Sequence, residues 1–314
     1  MKGALAFDTS NYTTSAAFFS PERAAHSRKL LEVPSGALGL RQQDALFQHI
    51  RAMPAIVEKL CEPQKKLEIA AVGASTAPRE TEDSYMPCFL AGKGHGEVMA
   101  RTLGVPFYGW SHQQGHLAAA AWSAGHQELL DRSFLAWHLS GGTTELLLTA
   151  PAASGSLTIR KIGGTNDLSA GQLVDRTGLL LGLDFPAGKA LDALSRESMG
   201  MLKAFPVKVS KCVFSLSGVE NKVKVLAEAG EDRREIADYT LRTLAFALCE
   251  ATTEAQKDHP GLPVLCSGGV AANTFLRQEL SSHCGALFSA PEYASDNAMG
   301  TAILTYRAWE ARHE

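Results

Sequence analysis

The chain has 314 residues, 45% hydrophobic and 20% charged, with a formal net charge of −3. That composition suits a globular protein with one large domain or two lobes, and it excludes a global basic field for nucleic acid. Six cysteines at 61, 88, 212, 249, 266 and 284 include no Cys-x-x-Cys pair, which argues against a zinc ribbon or disulfide framework and leads us to expect reduced thiols in the cytoplasm.

The first apolar run ends at Asp8, too short for a signal peptide, and no run approaches the ~20 residues of a membrane helix, so no membrane partner is expected. Residues 4–8 read as a buried strand, 9–12 as a turn and 13–19 as a second strand, together a β-hairpin. Residues 41–61 are amphipathic, with Leu46, Ile50, Ile56 and Leu60 near helical spacing and Pro54 as a kink. That apolar face reads as core, with partner docking as the alternative. A helix over 92–103 precedes a short strand near 105–108, and a further helix covers 112–130. The hairpin design then returns as a strand over 134–139, a turn at Ser140-Gly141-Gly142-Thr143 and a strand over 144–149. After a helix over 236–257, a strand at 264–266 leads through a glycine turn into another helix, and 297–312 forms the last. Strands alternating with helices indicate an α/β fold with covered sheets. The two hairpins point to an internal duplication, and no low-complexity linker divides the chain.

The glycine-rich turns carry the first chemical signal. Gly, Ser and Thr in a tight turn leave backbone N–H groups pointing outward with no bulk in the way, as a phosphate requires. One such turn is equally well explained by hairpin sterics. Two matched tips, with Thr9-Ser10 in the first and Ser140 to Thr143 in the second, together with Ser267-Gly268-Gly269 opening a helix, resemble the nucleotide cradle of actin-like ATPases. The second signal is His112-x-x-x-His116. At that spacing on a helix both imidazoles share one face, within reach of a single metal ion. Ser111 is placed to cap the helix and Gln114 to complete a capping box. In a chain with ten histidines such a pair also arises by chance. Asp296 would add an oxygen ligand, giving a set of two imidazoles and one carboxylate with open positions that suits Fe(II) or Zn(II).

Further motifs follow in order: Asp8-Thr9-Ser10 at the start, Leu139 to Thr143, Ala170-Gly171-Gln172-Leu173-Val174-Asp175, Leu180 to Gly188, Phe214-Ser215-Leu216-Ser217-Gly218, Ser267 to Asn273, and Ser295-Asp296-Asn297. With them the chain resembles, nearly end to end, the tRNA threonylcarbamoyladenosine transferases, formerly called O-sialoglycoprotein endopeptidases. The resemblance implies an α/β, actin-like ATPase fold of two lobes of duplicated mixed sheet with flanking helices. Lobe I would span 1–110, completed by about 295–314, and lobe II 111–294. It implies a cleft for ATP or the adenylate of a threonylcarbamoyl intermediate, and one divalent metal ion, Fe or Zn, that helps hold the transferred group. Carried over motif by motif, His112, His116 and Asp296 are the expected metal ligands. Thr9, Ser10, Ser140, Gly141, Gly142 and Thr143 fall on the phosphate side. Asp175 would accept a hydrogen bond from a ribose hydroxyl, since a carboxylate only accepts. Gly188, Gly268, Gly269 and Asn273 would line the adenosine side. A paralogous partner subunit or a homodimer, an ATPase helper and tRNA as acceptor are implied as well.

The chain also departs from the family pattern. Its first tip reads Asn11-Tyr12-Thr13-Thr14, without the family's acidic residues. Gln114 stands where Glu is usual, Thr143 where His is usual, and Gln172 where Glu is usual. A loop of the Thr-Ala-Gly-Pro-Gly kind is replaced by 75–87, which offers Arg79, Glu80, Glu82 and Asp83. Replacing Glu by Gln removes a charge and a general base while keeping shape. Three functions follow: threonylcarbamoyl transfer to adenine N6 in tRNA; a divergent paralogue acting as a carbamoyl or acyl transferase or ATPase on another acceptor; or a non-catalytic nucleotide-binding partner subunit. A peptidase finds no support, because no nucleophile is paired with a base and no Glu stands inside the histidine motif. The residues single out no catalytic acid or base.

Overall fold

The computed structural model describes residues 2–10, 12–33, 40–61, 67–81 and 84–313; Asn11, Glu82 and Asp83 lie outside these. In chain order the elements are β1 Lys2–Asp8, β2 Thr13–Ser20, β3 Arg23–Leu30, α1 Gln42–Leu60, β4 Glu68–Ala77, α2 Phe89–Leu103, β5 Phe107–Ser111, α3 His112–Ser123, β6 Phe134–Leu139, β7 Thr144–Pro151 and β8 Leu157–Thr165. Then follow α4 Ala170–Leu180, α5 Gly188–Ser195, β9 Val213–Phe214, α6 Ser217–Glu228, α7 Arg233–Asp258, β10 Val264–Ser267, α8 Thr274–Cys284, β11 Leu287–Phe288 and α9 Met299–Glu310. Two compact units result. The first comprises Met1–Arg132, Ala150–Ile159 and Ser295–Glu314, the second Ser133–Thr149 and Arg160–Ala294. No helix of the described residues is long and apolar enough to cross a membrane, and all six cysteines are free thiols.

The sheet of the first unit runs β3-β2-β1-β4-β5. β1 is antiparallel to β2 and parallel to β4, which is parallel to β5. β1 and β2 are buried along almost their whole length, as expected of strands covered on both faces. Leu5 and Phe7 share a core with Met53 and Ile56 of α1 and Ala100 of α2. On α9 the sheet presents small residues instead. A Cβ built on Gly73 would fall 2.0 Å from Thr305 Oγ1, so only glycine lets that helix lie against β4. The parallel strands β1, β4 and β5 end at Asp8, Ala77 and Ser111, placing Asp8, Ser75 and the start of α3 at the carboxyl ends, where open α/β sheets bind ligands.

The sheet of the second unit runs β11-β10-β6-β7-β8-β9. β6 and β7 form an antiparallel hairpin, and β10 is parallel to β6 and β11. Its core gathers Trp137, Leu139 and Leu146 of the hairpin with Leu173 of α4 and Leu241, Leu244 and Leu248 of α7. Reading from the hairpin's second strand, the order β2-β1-β4-β5 in one sheet matches β7-β6-β10-β11 in the other. The expected duplication of a mixed sheet is therefore present in the topology.

Two expectations are corrected. The first unit extends to Arg132, beyond the expected boundary at 110, so α3 belongs with it rather than with the second. The cause is backbone packing: a Cβ on Gly300 of α9 would sit 1.8 Å from Gly115 O and 2.6 Å from Ala119 N of α3. Helix α1 runs continuously through Pro54, but its core face is Ala45, His49, Ala52, Met53, Ile56 and Leu60, and Ile50 points outward. Gly300→Ala is expected to cost about 3 kcal/mol, because a backbone carbonyl cannot step aside as a side chain can. Urea unfolding checks this, and a loss below about 1 kcal/mol would show that α3 and α9 separate without penalty.

Candidate functional site

In the first unit, β5 ends at Ser111, whose hydroxyl accepts from Gln114 N while the Gln114 side chain accepts from Ser111 N. This capping box fixes the first turn of α3 and holds His112 and His116 on one face. The segment entering α9 brings Asp296 to the same place. His116 Nε2 lies 2.9 Å from His112 Nε2 and 3.2 Å from Asp296 Oδ1, and His112 Nε2 lies 3.5 Å from Asp296 Oδ1. Donor atoms around a tetrahedral ion with bonds of 2.0–2.1 Å stand about 3.3 Å apart, so the triangle has the dimensions of one face of such a site. Among the described residues these three form the one cluster of three His, Cys, Asp or Glu side chains compact enough to hold an ion. The three expected ligands are thus brought together.

The other nitrogen of His112 leads to a residue absent from the expected site. His112 Nδ1 lies 2.7 Å from Oδ2 of Asp8, which is fully buried. Burial alone would push the Asp8 carboxyl up, but the adjacent His112 and hydrogen bonds from Ser10 N and Ser75 Oγ hold it below its usual range. Burial likewise pulls His112 down, and the Asp8 and Asp296 carboxylates overcome this and raise it to about 10. Asp296 is itself pushed up by burial and held well below its ordinary value by the two imidazoles. In Asp8-Thr9-Ser10 the sequence signal was a strand end followed by a turn. A carboxylate at a strand's buried end, in a chain with a histidine pair, was the clue to Asp8.

The expected nucleotide residues divide between the units. Thr9 and Ser10 belong to the first. The Thr9 hydroxyl donates to Cys88 O and accepts from Gly92 N, so it is committed to the start of α2, whereas Ser10 Oγ is buried without a hydrogen-bond partner. The rest lie in the second unit on segments tied pairwise. At the β6–β7 tip, Ser140 and Thr143 bind each other through hydroxyls and backbone. Gly141 and Gly142 are exposed, with open space where a Cβ would be. A Cβ on Gly171 would fall 2.5 Å from Gly141 Cα, so the start of α4 lies against this turn. Asp175 Oδ1 accepts from Ala187 N, joining α4 to the residue before Gly188. Asp192 of α5 accepts from Thr274 at the start of α8. Gly268, at φ 94°, has Leu139 O where a Cβ would need to be, which returns the circuit to the β6–β7 tip. Gly269 faces open space, and Asn273 caps α8 through Oδ1 while its Nδ2 is buried without a partner.

The departures acquire structural roles. Gln172 completes a capping box with Ser169, as Gln114 does with Ser111, so both amides hold helix starts as a Glu would. Of the expected 75–87 loop, Ser75 to Ala77 belong to β4, and the segment after it is anchored on α3, where Gln113 N donates to Pro78 O, while Arg79 N donates to Ser84 Oγ. The Phe214 to Gly218 motif is held by Asp167, which accepts from Ser215 Oγ, Leu216 N and Ser217 N.

A model of the tRNA N6-adenosine threonylcarbamoyltransferase family matches residues 84–303. A protein of that name from Thermus thermophilus is 32% identical over 281 residues, 88% of this chain and 81% of that protein. One from Rhizobium etli is 28% identical over 325 residues, 94% of this chain and 86% of its own length. Among solved structures, full-length HypF in its phosphate- and nucleotide-bound form gives a TM-score of 0.62 at 13% identity, covering 99% of this chain and 47% of that one. An activator of 2-hydroxyisocaproyl-CoA dehydratase from Clostridium difficile with bound ADPNP gives 0.53 at 11% identity, covering 99% and 97%. These structural likenesses show the fold, the expected α/β fold of the actin-like ATPases.

His112 makes a prediction for the metal-free chain. Its folded pKa lies above the unfolded value of about 6.5, so the folded state holds an extra proton. The stabilisation is complete below pH 6.5 and is lost as pH rises to about 10. In chelator-treated protein, the unfolding free energy should fall by a few kcal/mol, on the order of 3, across this window. His112→Gln should lack that slope, and equal slopes in the two proteins would contradict the assignment.

Proposed function

The chain belongs to the tRNA N6-adenosine threonylcarbamoyltransferases, a family of enzymes, and on that premise we propose that it transfers a threonylcarbamoyl group from its adenylate to adenine N6 in tRNA, using one divalent metal ion. The observation that carries this reading is the convergence of His112 Nε2, His116 Nε2 and Asp296 Oδ1 in a chain whose family match spans them. Two imidazoles and a carboxylate form a donor set that fits Zn or Fe and leaves positions open for substrate oxygens. The ion, when bound, supplies Lewis-acid polarisation of the carbamoyl oxygen.

The remaining work falls to the chain's own groups. The backbone of Gly141 and Gly142, with the start of α4 behind it, suits the adenylate phosphate. Asp175 keeps Oδ2 for a ribose hydroxyl, since the structure commits Oδ1 to Ala187. Gly188, Gly269 and the unpartnered Nδ2 of Asn273 serve the adenosine side. In the transfer, adenine N6 forms a C–N bond to the carbamoyl carbon and gives up one proton. The bond from that carbon to the adenylate oxygen breaks, and AMP leaves with the electron pair. A paralogous subunit, or a second copy, docks on exposed apolar residues of α1 and α2, namely Phe47, Ile50, Leu90 and Val98.

One observation favours a second reading, transfer to another acceptor. The 75–87 loop, bulkier and more charged than the family's glycine-rich one, is fastened to the helix that carries both histidines. One assay separates the readings: labelled threonylcarbamoyl transfer to tRNA with the family's partner subunit and ATPase helper supplied, alongside metal analysis. The expected result is one equivalent of Zn or Fe per chain and labelled tRNA, with His116→Ala losing both the metal and at least about 100-fold in rate. Metal and adenylate binding without labelled tRNA would transfer the argument to another acceptor. A chain that binds nucleotide but no metal would be the non-catalytic subunit.

A further inference from the structure

We propose that Asp8 is the positioning residue of the metal centre, locking the His112 ring so that Nε2 offers its lone pair to the ion. The inference rests on reading His112, His116 and Asp296 as the metal ligands. A neutral imidazole has one N–H and one lone pair, and which nitrogen carries which is set by its surroundings. Asp8 Oδ2 lies 2.7 Å from Nδ1, while Nε2 faces His116 Nε2 at 2.9 Å. An ionised carboxylate can only accept, so Nδ1 carries the hydrogen and Nε2 is left as the ligand.

Asp8 is placed to orient the ring rather than to bind the ion. It contacts the ring nitrogen remote from the other donors and stands outside the ligand cluster, so it is not a fourth ligand. Its side chain is fixed at both oxygens: Oδ1 accepts from Ser10 N at 2.9 Å, and Oδ2 accepts from Ser75 Oγ at 2.5 Å. Ser75 Oγ is in turn 3.1 Å from Thr301 Oγ1 on α9, the helix that follows Asp296. One carboxylate thus ties β1, β4 and α9 to the ring on α3, and the chain leaves it 0% exposed.

Asp8→Asn keeps the shape and reverses the polarity. Ser10 N–H requires an oxygen at Oδ1, and the Ser75 hydroxyl can turn to accept, so the amide NH2 faces His112 Nδ1. The ring proton then moves to Nε2, into the ion's place. The experiment is zinc competition against a chromophoric chelator on the full-length chain, with thermal unfolding of every variant. Asp8→Asn should bind zinc roughly 10- to 100-fold more weakly than wild type, and Asp8→Glu, which restores a carboxylate, should recover most of that loss. Ser75→Ala, which removes the other hydrogen bond to Oδ2 but leaves the carboxylate and its bond to His112, should lower stability yet leave zinc affinity within about 3-fold. In the zinc-loaded protein the His112 Nδ1–H should give an exchange-protected downfield NMR signal in wild type and Ser75→Ala, and none in Asp8→Asn. Zinc affinity in a folded Asp8→Asn equal to wild type would overturn the positioning role while leaving the ligands standing. Equal losses in Asp8→Asn and Ser75→Ala would reduce Asp8 to scaffolding. A wild-type chain that takes up no zinc would overturn the metal reading itself.

Discussion

A carboxylate at the buried end of β1 is the constraint around which the first unit is built. Asp8 has no exposed surface, so its charge must be met entirely by protein. Removing one partner of such a buried pair costs about 3–5 kcal/mol. The chain meets the charge with the His112 ring, the Ser10 N–H and the Ser75 hydroxyl. Each partner comes from the carboxyl end of a parallel strand or the segment beyond it, so the sheet's strand order is what gathers the site. The bare glycine contact between α3 and α9 then sets how near Asp296 comes to the two histidines.

Much of this was legible in the sequence because it obeys local rules. Buried strands announce themselves as apolar runs, and β6 was read at its observed bounds, 134–139. The capping box at Ser111 and Gln114 and the histidine spacing are short-range patterns, and both recur in the structure. What stayed hidden depends on long-range packing. The outer strand β3, only partly buried, carries a mixed sequence without an apolar run. The register of α1 was misjudged by one face because Ile50 is apolar yet exposed, while His49 is polar yet buried against Thr14 at 2.8 Å. The boundary near 110 came from the family resemblance alone, whereas α3 is held to the first unit by two glycines nearly two hundred residues apart, Gly115 and Gly300.

The same distinction applies to function. Gln114 and Gln172 read as lost carboxylates, but an amide oxygen caps a helix as a carboxylate does, so these two substitutions leave the local frame intact. Asp8, read only as part of a motif, was given no place at the site for the opposite reason. Its partner lies 104 residues away, and nothing near it in sequence is a histidine. In the second unit, glycines 141, 142 and 269 have open space where a Cβ would be, while Gly268 is required by the Leu139 carbonyl pressed against it. Glycine alone could not separate those roles; the neighbour of each Cα does.

The central claim is that two imidazole nitrogens and one carboxylate oxygen share an ion. X-ray absorption at the zinc edge of the loaded chain tests it most directly. The account predicts two nitrogen ligands at about 2.0–2.1 Å and carboxylate oxygen at about 2.0–2.2 Å, with the zinc and its imidazole signature lost or reduced in His112→Ala. A spectrum dominated by sulfur near 2.3 Å, or one unchanged by His112→Ala, would contradict it.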